Sequence, residues 1–328
     1  MVLTTPAAGD ELVRMARKLR IQYPGAIYHC TSRGNQRAEI FKNNKDRELF
    51  MDTLAEACAK TDWQIHAWCL MSTHFHLVVE TPKANLVEGM KWLLGTYTSR
   101  FNRRHRLSGH LFAGRYKALF VDGSGSGYLK TVCDYAHLNP ARAGLLRPKQ
   151  KLGEYRWSSL GEYFKAPRAR FRWLRVDRLL GEWGIRKDSE AGRQKFEKGM
   201  EGRRAAEDGR EFKSVIRGWC LGGEDFRREL LARMSGQAGA EHFGGEIRES
   251  GEAKAKRIVG EELKRAGWSA KDLGKRRKGD PKKLKIALRL RQETTVTLSW
   301  IAAKLRMGTK THLSHLLYWH AREGNQGR

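Results

Sequence analysis

The sequence is short of acidic residues, and this shortage limits the functions that it can have. It has 36 Asp and Glu against 64 Lys and Arg among 328 residues, which gives a formal net charge of +28. Such an excess adds self-repulsion and does nothing for the stability of a fold, so it indicates a polyanionic partner. Nucleic acid is the leading candidate for that partner.

Long apolar runs and paired cysteines are also missing. No apolar stretch approaches the roughly 20 residues that a membrane-spanning helix needs, and the first residues lack a signal-peptide pattern. The five cysteines are scattered and never stand in C-x-x-C spacing, which argues against a disulfide framework and a zinc ribbon. We therefore expect a cytoplasmic, nucleoid-associated protein with inert thiols and no membrane partner.

Strand and helix patterns alternate in the first half of the chain. β-branched and aromatic residues mark the strands, a two-residue turn between the second and third strands indicates a hairpin, and apolar residues at helical spacing mark the helices. The predicted strands cover residues 26–32, 64–71, 74–81 and 116–122. The predicted helices cover residues 44–61, 86–104 and 127–138.

This order of elements predicts an α+β fold with a ferredoxin-like split βαβ antiparallel sheet. The last helix is an addition to that unit and bears Tyr135, and the sheet face without helices would be free for a substrate. An all-α region is expected to follow. We divide the chain into a flexible tail (1–14), the sheet domain (15–164), a connector (165–210) and a basic helical domain (211–328).

Residues 297–320 predict two helices with a break at Gly308, which resembles a helix-turn-helix. Thr297 can cap the first helix, and the second helix would enter a major groove of duplex DNA. The turn is longer than usual, so an ordinary helical hairpin is the alternative. The outward residues of the second helix would be Lys310, Thr311, His312, Ser314 and His315.

The segment from Ser72 to Glu80 contains the strongest chemical pattern. His74 and His76 share one face of a strand because side chains alternate across it. Two imidazoles at this spacing form half of a divalent-metal site, although solvated or core histidines are the common alternative. Glu80, at the end of the segment, is expected to be solvated.

A second pattern lies on the predicted helix over residues 127–138 and at its end. Tyr135 and Asn139 are four residues apart, so they share one helical face. Tyrosine can serve as a nucleophile, and an asparagine carbonyl suits a hard cation. The alternative is that Tyr135 belongs to the core and that Asn139 only ends the helix before Pro140.

Residues 97–121 combine six basic residues with aromatic residues and contain no acid. Basic groups along a nucleic-acid backbone, with aromatic rings for base stacking, are typical of single-strand binding. The alternative is that the rings belong to the core and only the charges contact DNA. The basic residues are Arg100, Arg103, Arg104, Arg106, Arg115 and Lys117.

Several of these motifs, in this order, resemble the REP-associated tyrosine transposases, which are single-tyrosine HUH endonucleases of the IS200-like superfamily. The resemblance covers residues 23–163, which is under half of the chain. The matching motifs are TSRGNQRAEIF (31–41), STHFHLVVE (72–80), YTSRFNRRHRLSGHLFAGRYKA (97–118) and YLKTVCDYAHLNPARAGL (128–145).

The resemblance implies a transposase-like enzyme that cuts and rejoins single-stranded DNA at hairpin-forming repeats through a 5′-phosphotyrosine. Tyr135 would be the nucleophile, in preference to Tyr128 on the same helix. One Mg²⁺ or Mn²⁺ would be held by His74, His76 and Asn139. A monomer is favoured, and a dimer is the alternative. The residues expected to read a short guide sequence are Arg33, Asn35 and Arg37.

Two other functions compete with this interpretation. An HUH replication initiator or relaxase often has more metal-binding histidines or two tyrosines, whereas this chain offers one H-x-H motif. A domesticated sequence-specific DNA-binding protein without strand-transfer activity would not need His74, His76, Tyr135 and Asn139, all of which are present.

Overall fold

The described residues of the chain, 21–147, 149–207, 211–236 and 245–326, pack around two hydrophobic cores in this computed structural model. The first core draws its residues from Ile21 to Leu230, and the second from Ala255 to Leu317. The tail predicted at 1–14 lies outside the described residues. Within the described residues, none of the helices has the length and apolar content to cross a membrane.

A five-stranded sheet forms the centre of the first unit. Its strands are β1 (Ala26–Arg33), β2 (Gln64–Leu70), β3 (His74–Thr81), β4 (Lys117–Val121) and β5 (Cys220–Leu221). They lie in the order β2-β3-β1-β4-β5, with antiparallel pairing except between β4 and β5. The first four strands have the predicted split βαβ order, so the α+β fold class is confirmed, and β5 is an addition to it.

Helices pack on both faces of this sheet. Phe75 of β3 contacts Phe50 of α1, whereas the next residue, His76, contacts Tyr135 of α3. Successive residues of a strand point to opposite faces, so α1 and α3 lie on opposite sides. The helices of the first unit are α1 (Asn44–Thr61), α2 (Leu86–His105), α3 (Tyr128–Arg142), α4 (Leu160–Phe164), α5 (Asp177–Glu182), α6 (Glu190–Ala206), α7 (Lys213–Arg217) and α8 (Glu224–Gly236).

The sheet face that was expected to be free is covered, so that prediction was wrong. The segment predicted as a connector, 165–210, contains α5 and α6, and Phe196 and Met200 of α6 are fully buried in the first core. Phe196 packs on Tyr163, whose hydroxyl donates to the His66 carbonyl of β2 at 2.6 Å. The first unit therefore continues beyond residue 164.

Glu80 is buried at the end of β3, and the expectation that it would be solvated was wrong. Its carboxylate accepts hydrogen bonds from Arg178 at 2.9 Å and from Arg175 at 3.2 Å, and His66 Nε2 lies 2.9 Å from it. Burial alone would raise the pKa of Glu80, but the hydrogen bonds and charges of His66 and Arg178 outweigh it and lower the pKa to about 2. This network fastens residues 175–178 to the sheet.

Replacing Glu80 by Gln should lower the free energy of unfolding by about 3 kcal/mol, because two arginines lose their buried counter-charge. Since the folded pKa is depressed, the carboxylate's contribution is present above its unfolded pKa of about 4.3 and is lost as pH falls through about 2. Urea unfolding between pH 7 and pH 2 measures both effects.

The control for this experiment is Glu229→Gln, which removes an exposed i,i+4 pair with Arg233 and should cost under about 0.5 kcal/mol. An equal loss of unfolding free energy in Glu80→Gln and Glu229→Gln would contradict the prediction.

The second unit is helical, as predicted. Thr297 caps α12 by accepting a hydrogen bond from the Trp300 backbone, and Gly308, with φ of +86°, lies in the turn before α13. Ile301 and Leu313 join these two helices in the second core. The helices are α9 (Gly245–Ala266), α10 (Asp272–Lys275), α11 (Pro281–Glu293), α12 (Leu298–Lys304) and α13 (Lys310–Gln326).

One lysine of the first unit joins it to the second. Lys60, near the end of α1, donates hydrogen bonds to the carbonyls of Arg291 and Gln292, the latter at 2.9 Å. These carbonyls belong to the last turn of α11, where backbone acceptors lack partners within the helix. Lys60 is buried and therefore ties the end of α11 to α1.

Candidate active site

Three histidines meet on the sheet face that α3 covers. His74 and His76 project from β3 on this face, as predicted, with their ring centroids 5.1 Å apart. His29 of β1 stacks on His76, with centroids 5.2 Å apart and an interplanar angle of 13°. His29 Nε2 and His76 Nδ1 are 2.9 Å apart, which is a hydrogen bond.

The three imidazoles are neutral at pH 7. Burial lowers the pKa of His29 to about 4. Burial, assisted by the charge of Arg33, lowers the pKa of His74 to about 4 as well. Burial and the neighbouring histidines hold the pKa of His76 well below its ordinary value. Neutral imidazoles are the form that binds metal ions.

Tyr135 packs against these histidines within the same chain. Its ring meets His76 edge-on at 5.5 Å between centroids, and it meets His29 in the same way at 5.7 Å. Tyr135 is half-buried on α3. The strand and the helix that were expected to supply one site are therefore adjacent.

Asn139 lies one turn after Tyr135 and is nearly buried. Its side-chain nitrogen donates a hydrogen bond to the Tyr135 carbonyl at 2.9 Å, which leaves the amide oxygen outside that bond. α3 continues through Pro140 to Arg142, so Asn139 does not end the helix. The structure therefore fixes the side chain of Asn139 next to the tyrosine.

Tyr128, the competing tyrosine on α3, and His137 of the same helix have surroundings other than the histidine pair. Tyr128 is the first residue of α3, and among the described residues it makes no ring contact with His29, His74 or His76. His137 is buried, its Nε2 lies 2.8 Å from Ser159 Oγ, and its ring packs on Tyr163. These contacts indicate that His137 is a core residue that stabilises the fold.

Arg142, which sequence reasoning missed, is the strongest charge beside Tyr135. Its guanidinium lies 4.9 Å from the Tyr135 ring centroid and pairs with Glu207 at 3.0 Å. Burial raises the pKa of Tyr135, while the charge and the hydrogen bond of Arg142 act in the opposite direction. Phe212 covers the tyrosine from another side at 5.3 Å. The spacing of seven residues between Tyr135 and Arg142, two turns on one helical face, could have pointed to this arginine.

Arg33, the last residue of β1, and Asn35 and Arg37, in the loop that follows, are all exposed, and the backbone of this loop is held by hydrogen bonds. Gly34 N donates to the Thr73 carbonyl and Asn35 N to the Leu111 carbonyl, both at 2.9 Å. A Cβ at Gly34 would lie 2.0 Å from the Ala38 carbonyl oxygen, so this turn requires glycine. Arg33 stands directly across from His74, which places the start of the loop at the histidine pair.

The basic residues of segment 97–121 separate into groups. Lys117 of β4 is exposed and lies across from Thr31, which itself lies across from His76, so all three share one sheet face. Arg103, Arg106 and Arg115 are exposed. Two others are paired with acids of α1 on the opposite side of the sheet, Arg100 with Glu56 at 2.7 Å and Arg104 with Asp46 at 3.1 Å.

The aromatic residues of that segment are core residues. Tyr97 and Phe101 are fully buried, and Phe112 and Tyr116 are nearly so. Tyr97 packs on Phe50 between α1 and α2, and its hydroxyl donates to the Ile40 carbonyl. Base stacking on these rings is therefore excluded in this conformation, and the interpretation of the rings as core residues is correct.

In the second unit, the predicted outward residues of α13 are exposed. Lys310, Thr311, His312 and Ser314 all lie at the surface, whereas Leu313 and Leu317 face the second core. The exposed set occupies the first turns of the helix that follows the Gly308 turn, where a recognition helix contacts bases.

One nitrogen atom of His76 has the surroundings expected of a ligand to a divalent metal ion. Nε2 of His76 is buried and has no hydrogen-bond partner among the described residues. Buried polar atoms normally have partners, so this nitrogen is the atom through which His76 would hold a metal ion. No cluster of three or more His, Cys, Asp or Glu in the described ranges has the arrangement to hold a metal by itself. A third ligand would have to come from another residue type, such as an amide.

The family comparison covers the part of the chain that holds the histidine pair, Tyr135 and Asn139. Residues 22–139 match the family model described as "Transposase IS200 like". This part of the chain, which includes the histidine pair, Tyr135 and Asn139, is therefore similar to IS200-like transposases, and the predicted resemblance to that superfamily is confirmed. Transposases of this family are DNA-processing proteins.

We also compared the chain with individual curated proteins and solved structures. No curated protein matches the chain. Among solved structures, one described as "Structure of the REP associates tyrosine transposase bound to a REP hairpin" is 13% identical, with a TM-score of 0.38. The match covers 48% of this chain and 96% of that one.

Proposed function

We propose that this protein is a metal-dependent single-stranded DNA endonuclease and strand transferase that acts on hairpin-forming repeats through a 5′-phosphotyrosine intermediate. The observation that supports this most is the contact between Tyr135 and His76, 5.5 Å between ring centroids, inside an IS200-like domain. A nucleophile and a metal-binding pair at this separation can act on the same phosphate. The motif resemblance to REP-associated tyrosine transposases supports the choice of hairpin repeats.

In the proposed reaction, the Tyr135 hydroxyl oxygen attacks the scissile phosphorus and its proton passes to water. A Tyr–phosphate bond forms, the bond from phosphorus to the 3′ oxygen breaks, and that oxygen takes up a proton to become a free 3′-hydroxyl. Attack by another 3′-hydroxyl reverses these changes and joins strands. His74, His76 and Asn139 would hold one Mg²⁺ or Mn²⁺, which would polarise the phosphate and offset its developing charge.

Arg142 has a defined part in this mechanism. Its guanidinium hydrogen-bonds Tyr135 and would stabilise the phenolate as the proton leaves, which counters the effect of burial on the tyrosine pKa. Arg33 and Lys117 stand on the same sheet face and would contact the phosphates on either side of the cut. The loop of Asn35 and Arg37 continues from Arg33 and would read the adjacent bases.

The test of this proposal is covalent capture of DNA. The full chain is incubated with single-stranded DNA that carries an imperfect palindrome and a 5′ end label or a 3′ end label, with Mg²⁺ or with EDTA, and run on denaturing gels. We expect a Mg²⁺-dependent protein–DNA adduct that retains only the 3′ label, since tyrosine takes the 5′ phosphate. Cutting without an adduct, or an adduct that persists in EDTA, would contradict the mechanism.

We also propose that the enzyme works as a monomer. Both edges of the four-stranded part of the sheet are occupied within the chain: Leu174 and Ser158 bridge to β2, and β5 pairs with β4. Edge strands that are covered in this way are not available to pair with a second copy. Tyr135 reaches the histidines without exchange of a helix between chains.

For the second unit we propose duplex DNA as the partner. The exposed start of α13 supports this, together with the twelve basic residues against two acids between residues 264 and 291. Helix α13 would lie in the major groove as the second helix of a helix-turn-helix.

Replacing Lys310 by Ala should weaken binding of a duplex from the protein's own chromosomal locus and lower the slope of log affinity against log salt by about one. Fluorescence anisotropy across a salt series measures this, and adduct formation on the hairpin strand should stay unchanged. Lys198→Ala on α6 removes the same exposed charge from the first unit and is the matched control. If both variants reduce the slope equally, the duplex is not bound by α13.

A further inference from the structure

His29 occupies a position that allows it to control the proton of His76. It lies on β1, diagonally across from His76 of β3, since Thr31 is the residue directly opposite. The two rings are stacked and buried: His29 is 4% exposed and His76 is 5% exposed. His29 Nε2 lies 2.9 Å from His76 Nδ1. One proton must lie between these nitrogens, on one ring or the other.

The two possible proton positions have different consequences at the opposite nitrogen of His76. If His29 donates, the proton of His76 is on Nε2, a buried N–H without an acceptor among the described residues. Such an orphaned donor is unfavourable, because a buried N–H without an acceptor has lost its hydrogen bonds to water and gained none in the protein. If His76 donates from Nδ1 to His29, its Nε2 has a free lone pair. The second arrangement avoids the orphaned donor, and only the second provides a metal ligand.

We propose that His29 is a positioning residue that holds His76 with its proton on Nδ1, so that Nε2 presents its lone pair to the metal ion. The inference rests on the metal-binding role proposed above for His76. His29 also contacts Tyr135 edge-on at 5.7 Å, so the same ring fixes the orientation of His76 relative to the nucleophile. Partners that fix the ring and tautomer of a ligating histidine are a general requirement of metal sites.

The proton position can be measured directly in the metal-free protein. We would label histidine with ¹⁵N in the full chain, assign His76 by its loss in His76→Ala, and record long-range ¹H–¹⁵N spectra at pH 7.5. The expected pattern for His76 is a protonated Nδ1 and an unprotonated Nε2. A protonated Nε2 would overturn the proposal without any appeal to activity.

Two substitutions of His29 then test its effect on metal binding. His29→Leu removes the acceptor, and we expect Mn²⁺ affinity, measured by electron paramagnetic resonance of free Mn²⁺, to fall about 10- to 100-fold. His29→Gln keeps an oxygen that can accept from Nδ1 and should recover most of the affinity. Equal Mn²⁺ affinity in wild type and His29→Leu would overturn the proposal. If His76→Ala binds Mn²⁺ as tightly as wild type, the proposed metal role itself fails, and the spectra of metal-free protein still decide the role of His29.

Discussion

Replacing Tyr135 by Phe should abolish the covalent protein–DNA adduct and reduce strand cleavage by at least about a thousandfold, as happens when a covalent nucleophile is removed. The phenylalanine ring keeps the packing on His76, His29 and Phe212, so the fold and hairpin affinity should be retained. Denaturing gels quantify the adduct, and gel-shift titration with the hairpin strand checks binding.

Tyr128→Phe is the control for this experiment because it removes a hydroxyl from the same helix, at its first residue. It should leave adduct formation within about twofold of the wild type, since it touches none of the reacting groups. An adduct that survives in Tyr135→Phe and disappears in Tyr128→Phe would move the nucleophile to the start of α3, and the contact between Tyr135 and the histidines would then be only packing.

Mixing two inactive variants should not restore activity. On the proposed mechanism, His76→Ala would lack a metal ligand and Tyr135→Phe would lack the nucleophile, and we expect each alone to be inactive. Because Tyr135 contacts His76 of its own chain, neither protein in the mixture has a complete site. The equimolar mixture should therefore cleave at less than about 1% of the wild-type rate, because each substitution removes a group on which the proposed reaction depends.

The same mixture distinguishes an exchanged-helix dimer from the proposed monomer. If chains exchanged α3, mixed dimers would contain one intact site, and a substantial fraction of wild-type cleavage would return. Wild type mixed with Tyr135→Phe is the reference and should cleave in proportion to its wild-type content. Size-exclusion chromatography with light scattering on the same samples reports the mass directly, against 37.6 kDa for one chain.

The sheet of the first unit was predictable because its strands alternate or cluster apolar residues over short runs. The turn at Ser72 indicated that β2 and β3 form a hairpin. Apolar residues at helical spacing before and after this hairpin then gave the βαββαβ order. Residues 165–206 were misjudged because they contribute only a few buried residues to the core, such as Phe196 and Met200, among many charges. Their packing depends on a surface that is formed by distant strands, which local periodicity does not record.

The relative placement of the candidate site residues was predictable where one element determines a face. Alternation along β3 places His74 and His76 together, and helical spacing relates Tyr135 to Asn139. His29 was missed because its contact with His76 depends on the register between β1 and β3, which the sequence does not specify. Glu80 was misjudged for a similar reason, because its partners Arg175 and Arg178 are almost a hundred residues away.

The hydrogen bonds from Lys60 to the end of α11 have a consequence for the proposed cleavage of DNA. They fasten the helical unit directly to α1 of the first unit. If α13 binds duplex DNA as proposed, the distance from the bound duplex to Tyr135 is then a property of the folded chain. The protein would act as a ruler, and its cleavage points would fall at a constant number of nucleotides from the duplex sequence that it holds.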